Sequence, residues 1–337
     1  MYRDVASICA MQQFQFGRRI RCSDGEAGLL TQVVFDSASR RVTSIGVMLG
    51  GLFGRSVYVS FATVVPVTGE SITLRISRAD LAASRKEAPI GALLDSKSVV
   101  GNDHQSGTAT KGTIHLIAVH PESGELAYLV VHHMRPRQDT FLRGEYVTQI
   151  ETGHVEVSLS EATLQTLPHY HPDSELQQEI EERVYDLTPL HVDFNGVHIR
   201  VLDSVLYLIG NISSSLRKDI VEDQVLGVQG LLEIKNELLG DDTLANSLAM
   251  VLGHDPRTRN LPIGVYPRLG NVRLSGSVHN EQQKAAAEES ARHFPGVRSV
   301  TNTLVVNPKA EMLHVMSSAE GGQGEDLIPG KYIRHTK

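Results

Sequence analysis

Two stretches of the chain, QGLLEIKNEL at 229–238 and PGVRSVTNTL at 295–304, share the pattern G-[LV]-x-x-[IV]-x-N-x-L. A shift of 66 residues superimposes them without a gap, and the same shift aligns Leu208 with Leu274. Self-similarity at a fixed period is typical of a duplicated structural unit. The sequence therefore predicts two copies of one unit in the C-terminal half of the chain.

Each copy has apolar residues first at helical spacing and then in alternation, so the period changes from helix to strand within the unit. We predict the order helix–strand–strand–helix–strand, with two helices on one face of a small three-stranded sheet. This α/β unit covers residues 174–239 and again 241–307. The intervening LLGDD at 238–242 is interpreted as a short linker, which would keep two weak binding sites at high effective concentration.

The repeated glycines and asparagines mark equivalent positions of the two copies. Gly230 and Gly296 follow a predicted helix, and we expect positive φ there because glycine commonly ends helices in that conformation. Gly210 and Gly276 lie in a predicted strand, where glycine marks a bulge or the close approach of a helix. The last pair of repeated positions is Asn236 and Asn302.

Four motifs of the second copy carry a family resemblance: DPRT (255–258), I-x-V (263–265), G-x-V-x-L-x-G-x-V (270–278) and PGVRSVTNTLVV (295–306). Together they resemble the BON domain, a family that includes osmotic-stress periplasmic proteins. The resemblance implies attachment to phospholipid or to a membrane. It extends over 174–307, although the first copy has DLTP at 186–189 in place of DPRT.

The N-terminal half contains a second repeat, in which a shift of 84 residues aligns Gly28 with Gly112. Short alternating apolar runs separated by turn residues favour small β-barrels, one over 14–78 and one over 99–160. A strand beginning G-x-[VI], a turn and a strand ending in VVP or VTQI resemble the PRC-barrel family. That family occurs in a photosynthetic reaction-centre subunit and in a ribosome maturation factor.

The remaining segments are interpreted as connections. Residues 79–98 join the two predicted barrels, and residues 161–173 join the halves of the chain. The segment 308–337 includes SSAEGGQGED, a composition typical of a flexible tail. The expected fold class is therefore multidomain, a β-barrel pair followed by an α/β pair.

Composition narrows the classes of partner. Residues 1–160 hold 16 basic and 15 acidic side chains, and the remaining residues hold 16 and 24, which gives the second part a net charge of −8. Trp is absent and aromatic residues make up 5% of the chain. Both features argue against a nucleic-acid partner, which needs basic surfaces and stacking side chains.

The sequence also suggests a location. It has two cysteines, Cys9 and Cys22, and therefore needs no disulfide framework. We see no signal peptide and no apolar run near the roughly 18 residues of a membrane span. We therefore expect a cytoplasmic protein that associates with membranes, if at all, from their surface.

A search for chemistry finds few candidates. Among the 15 histidines, His132 and His133 are adjacent, His169 and His171 could share a face, and His115 is on a predicted strand, but no metal-binding spacing accompanies them. We therefore predict no metal, no cofactor and no catalytic residue. Arg257 and Arg259, in the loop of the second α/β copy, are the candidates for contact with anionic head groups.

Three functions remain open at this point. The first is a non-enzymatic binding or scaffold protein, which presents its repeats to a protein partner or to a membrane and is related to stress responses through the BON-like copies. The second is an RNA- or ribosome-associated factor that acts through the PRC-like barrels. The third is an enzyme with an unrecognised site. A homo-oligomer is compatible with each of them.

Overall fold

The computed structural model describes residues 10–50, 54–66, 72–101, 111–136, 138–186 and 196–309. They form two compact units, one up to residue 244 together with 268–270, the other from 245 to 267 and from 271 onward. The fold is multidomain and mostly β, with a half-barrel sheet, small sheets and a few helices. None of the described helices is long and apolar enough to cross a bilayer.

The first large sheet has seven strands in the order β5-β4-β3-β2-β7-β6, with β8 also paired to β3. The strands are β2 (Arg19–Cys22), β3 (Gly25–Asp36), β4 (Arg41–Leu49), β5 (Arg55–Ser60), β6 (Val64–Val65), β7 (Ile72–Leu74) and β8 (Ala92–Asp95). Neighbours along the chain pair antiparallel, whereas β2 and β7 pair in parallel.

The second large sheet repeats this arrangement in the order β12-β11-β10-β9-β14-β13, with β1 also paired to β10. The strands are β1 (Gln12–Gln15), β9 (Val99–Gly101), β10 (Lys111–Val119), β11 (Leu126–Arg135), β12 (Gln138–Arg143), β13 (Val147–Glu151) and β14 (His154–Val157). Here β9 and β14 form the parallel pair that corresponds to β2 and β7.

The two sheets exchange one strand with each other. β1 precedes the first sheet in sequence but pairs antiparallel with β10, and β8 precedes the second sheet but pairs antiparallel with β3. Phe14 of β1 and Leu94 of β8 are buried in a single hydrophobic cluster that includes residues of both sheets. Because each sheet holds a strand from the other repeat, the pair shares one core.

The strand exchange changes the interpretation of residues 79–98 as a connection. They contain the end of α1 (Arg78–Ala83) and the whole of β8, in which Ala92 and Leu94 are buried. The ranges 14–78 and 99–160 therefore each leave out a strand or part of a strand that the sheets use. Residues 161–173 likewise include α2 (Glu161–Thr166). The predicted tail beyond residue 309 lies outside the described residues.

The C-terminal elements repeat at a shift of 66 residues. The first set is α3 (Asp173–Tyr185), β15 (Val197–Leu202), β16 (Val205–Ile212), α4 (Ser215–Val225) and β17 (Glu233–Gly240). The second set is α5 (Asp241–His254), β18 (Ile263–Arg268), β19 (Asn271–Val278), α6 (Glu281–Arg292), β20 (Ser299–Asn302) and β21 (Val305–Val306). The first sheet has three strands, and the second has four because its last strand is divided in two. Since β17 ends where α5 begins, 238–242 is not a linker.

The duplicated stretch fastens the second helix of each copy to the last strand. Gly230 and Gly296 have positive φ, 97° and 88°, as expected, but they lie in the turn before the strand rather than directly at the helix end. The Nδ2 atom of Asn236 donates to a backbone carbonyl and a glutamate carboxylate of α4, and Asn302 makes the same two bonds to α6. The repeated asparagine is therefore a helix-to-strand bridge.

The remaining repeated glycines are required by close backbone approach. At Gly276, φ is +121° and an added Cβ would lie 1.9 Å from the carbonyl oxygen of Pro262 in the neighbouring chain segment. Gly210 is equivalent, with the carbonyl oxygen of Gly196 at 1.9 Å, so the residue before the adjacent strand makes the close approach, and the expected bulge or helix does not. A Cβ at Gly28 or Gly112 would lie 2.3 Å or 2.5 Å from atoms of the adjacent strand.

Candidate functional site

Helix α5 presents an apolar face to solvent. Residues 244–253, LANSLAMVLG, carry no charged side chain. Leu248 and Leu252 are buried, whereas Met250 is 63% exposed and Val251 is 40% exposed. Met250 and Val251 thus form a small exposed apolar patch between the exposed polar residues Asn246 and His254, and such a patch can contact a membrane or another protein.

The two arginines expected to contact head groups have different surroundings. Arg257 forms ion pairs with Asp255 at 2.9 Å and with Glu289 of α6 at 2.7 Å. Its hydrogen bonds hold the pKa of Asp255 well below the usual range. Arg257 therefore links its loop to α6, and the two carboxylates neutralise its charge. Arg259 is exposed, and no carboxylate among the described residues pairs with it.

Each α/β copy also carries an aromatic–cation pair on its sheet. The guanidinium of Arg273 lies 5.3 Å from the ring centre of Tyr266, and Nζ of Lys235 lies 5.2 Å from that of Tyr207. The sequence alone does not indicate these two pairs, because the members of each pair lie on different strands. Tyr266 remains 47% exposed, so its ring is open to solvent beside Arg273.

The outer face of the second large sheet is covered by other parts of the first unit. Its buried side chains are Leu116, Ala118, Tyr128, Val130 and Phe141. Met11, Tyr170 and Leu232 pack against them. Leu232 directly precedes β17, so the first α/β copy packs on the sheet. The first sheet carries the partly exposed Gln32, Ser44 and Tyr58 at the positions equivalent to Leu116, Tyr128 and Phe141, and these polar side chains suit a face in contact with water.

Polar contacts in the same interface connect three segments of the chain. The Tyr128 hydroxyl donates to Oδ1 of Asp203 at 2.6 Å, and the amide of Met11 donates to Oδ2 at 2.8 Å. Asp203 and Ser204 both have positive φ and form the β15–β16 turn. Their amides donate to the two carboxylate oxygens of Asp173 at 2.8 Å and 2.9 Å. Burial raises the pKa of Tyr128 and of Asp173, so the tyrosine remains a donor.

A histidine-rich cleft lies beside this interface. It has a volume of about 320 Å³, and its lining residues are His133, Arg135, Gln138, Asp139, His169, Tyr170 and His171. The segment around His169 runs antiparallel to β12, with a bridge between Thr140 and His169. As expected, His169 and His171 share a surface. The guanidinium of Arg135 donates hydrogen bonds to the backbone carbonyls of Leu167 and Pro168.

Comparisons with known proteins identify one family. Residues 240–308 match the model of the BON domain, so the second α/β copy contains a domain of this class. No curated protein sequence matches the chain significantly.

Two solved structures are similar to part of the chain, and both are of CdsD, a structural protein of the type III secretion system of Chlamydia trachomatis. One has a TM-score of 0.32 and 19% identity and covers 39% of this chain and 61% of that one. The other, a C-terminal domain, has a TM-score of 0.32 and 18% identity and covers 39% and 64%. The chain spans less than two thirds of the length of either structure.

Proposed function

We propose that this protein is a non-enzymatic scaffold that binds a membrane surface or a partner protein through tandem BON-type domains carried on a PRC-type barrel pair. The BON match over 240–308 supports the second copy. The equal order of elements and the shared asparagine bridge support the same assignment for the first copy. The two equivalent seven-stranded sheets support the PRC-type assignment.

The observation that carries the proposal is the apolar exposed face of α5. Burying a methionine side chain contributes about 1.5–3 kcal/mol, so Met250 and Val251 together suit a peripheral, reversible contact. Overall charge does not explain attraction to an anionic membrane. The C-terminal part has a net charge of −8, and the charge of Arg257 is neutralised by Asp255 and Glu289. The contact therefore depends on apolar insertion and on local head-group recognition, to which the exposed Arg259 contributes a cation.

Liposome flotation of the untagged chain tests this proposal. The vesicles are phosphatidylcholine alone and phosphatidylcholine with phosphatidylglycerol, at low and at high salt. We expect weak binding that changes little with salt and that falls at least about tenfold in Met250→Glu, because a charge replaces an inserted apolar side chain. The matched control is Ile90→Glu, since Ile90 is likewise an exposed apolar side chain but lies outside the α/β copies.

The outcomes separate the lipid from the protein partner. Strong binding that salt abolishes and that Met250→Glu leaves unchanged contradicts the role of α5. If neither vesicle binds the wild type, the α5 face serves a protein partner or a second copy of the chain. For a second copy of the chain, the mass measured by light scattering would then rise with protein concentration. This rise would be lost in Met250→Glu but not in Ile90→Glu.

A further inference from the structure

Three potential metal ligands converge on the outer face of the second sheet. His115 lies on β10, His132 on β11 and Asp139 on β12, and one ligand atom from each lies within 4.8 Å of the others. These strands are adjacent in the sheet, so the backbone ladder holds the three positions in place. The three residues are separated by 17 and 7 positions in the sequence, a spacing that matches no known metal-binding motif.

A β-bulge brings His115 into this cluster. The register pairs Ile114 with Val131 and then Leu116 with Val130, which leaves His115 as the extra residue of β10. Bulges redirect a side chain relative to the regular alternation of a strand. The His115 and His132 rings consequently lie with their centres 4.0 Å apart.

The cluster offers the types of ligand that transition metals prefer. His115 and His132 each provide an imidazole nitrogen, and Asp139 provides a carboxylate oxygen. Nδ1 of His132 is in contact with Oδ1 of Asp139, and Nε2 of His115 accepts a hydrogen bond from the Gln15 side-chain amide at 3.0 Å, so a metal ion bound at Nε2 would displace this amide. The side chains of His132 and Asp139 are 35% and 30% exposed, which leaves an entry path for an ion.

We propose that His115, His132 and Asp139 bind one divalent transition-metal ion, with zinc the best fit to two imidazoles and one carboxylate. Tetrahedral zinc with bonds of about 2.0–2.2 Å separates its ligand atoms by about 3.3 Å. The ligand atoms of the cluster already lie within 4.8 Å of one another, which is near this spacing. Asp139 also lines the histidine-rich cleft, so a water molecule from the cleft completes the coordination.

The test uses the untagged full-length chain, stripped of metal with a chelator and titrated calorimetrically with zinc chloride at neutral pH. We expect one ion per chain. His115→Gln and Asp139→Asn each weaken zinc binding by at least about tenfold, since loss of even an outer-sphere partner has that effect. The matched control, His198→Gln, leaves it unchanged, because His198 is exposed on β15, outside the cluster.

A second measurement needs no variant. Cobalt bound to the wild type in place of zinc is expected to show the intense visible bands of a tetrahedral site with nitrogen and oxygen ligands. The proposal is overturned if the stripped wild type binds no zinc. It is also overturned if binding is lost in His169→Gln or His171→Gln but retained in His115→Gln, since the cleft histidines would then be the ligands.

Discussion

Replacement of Tyr128 by phenylalanine tests whether the second sheet and the first α/β copy are held together by a buried polar contact. The tyrosine hydroxyl donates to Asp203 at 2.6 Å and accepts from the Gln13 amide at 2.9 Å. The ring stacks on Phe141 with its centre 4.4 Å away, and this stacking survives the substitution. Only the polar contribution is therefore removed.

The expected magnitude follows from the charge of the acceptor. A hydrogen bond to a charged group contributes about 1.5–3 kcal/mol, compared with about 0.5–1.5 kcal/mol for a neutral pair. Asp203 keeps its bond from the amide of Met11, so the carboxylate is not left without a donor. We expect Tyr128→Phe to lower the free energy of unfolding by about 1.5–3 kcal/mol, which corresponds to about 3–12 °C in Tm.

Thermal unfolding followed by far-UV circular dichroism measures this difference. The matched control is Tyr58→Phe on the first sheet, because the Tyr58 hydroxyl donates to the neutral amide oxygen of Gln32. Limited proteolysis at 168–172 reports on the same interface, and Tyr128→Phe should be cleaved there faster than either the wild type or the control. Equal Tm values for the two variants would refute the argument that the charged acceptor dominates.

Three further predictions test other parts of the fold. Asn302→Ala should cost about 1–3 kcal/mol, and Asn236→Ala a similar amount, because both lose the same two helix-to-strand bonds; chemical denaturation of both variants checks this. Burial raises the pKa of Asp173 above its usual 3.8, so any stability advantage over Asp173→Asn is greatest below pH 3.8 and is lost as pH rises through the folded pKa. A Tm difference that stays constant from pH 3.5 to about 7 contradicts this. Gly276→Ala should cost more than about 3 kcal/mol in a thermal melt, whereas Gly253→Ala, in an open helical position, should be neutral or stabilising.

The repeats and the types of their elements could be predicted from the sequence because they depend on local properties. Apolar periodicity distinguishes helix from strand, and the shift of 66 residues carries every element of one α/β copy onto the other. The positive φ of Gly230 and Gly296 follows equally from the local need of a turn. The BON resemblance of the second copy, which local motifs predict over 241–307, is confirmed by the family match over 240–308.

Pairing between distant strands could not be predicted in this way. β8 is only four residues long, and nothing in ALLD indicates that its partner is β3 rather than a strand of its own repeat. The exchange is decided by which sheet edge can bury Leu94 and complete its backbone hydrogen bonds, a property of both sheets together. The interpretation of 79–98 as a connection was wrong for this reason, whereas that of 238–242 as a linker was wrong because β17 continues directly into α5.

The candidate metal cluster likewise combines residues that are visible in the sequence with distances that only the tertiary structure sets. Each histidine was visible in the sequence, but the ligand distances arise from the register of β10, β11 and β12 and from the bulge at His115. The tight pairing of Arg257 with Glu289 likewise joins residues 32 positions apart. Local sequence determined the elements and their backbone needs, while tertiary structure decided which side chains meet, because contact energies depend on distances that only the packed strands and helices define.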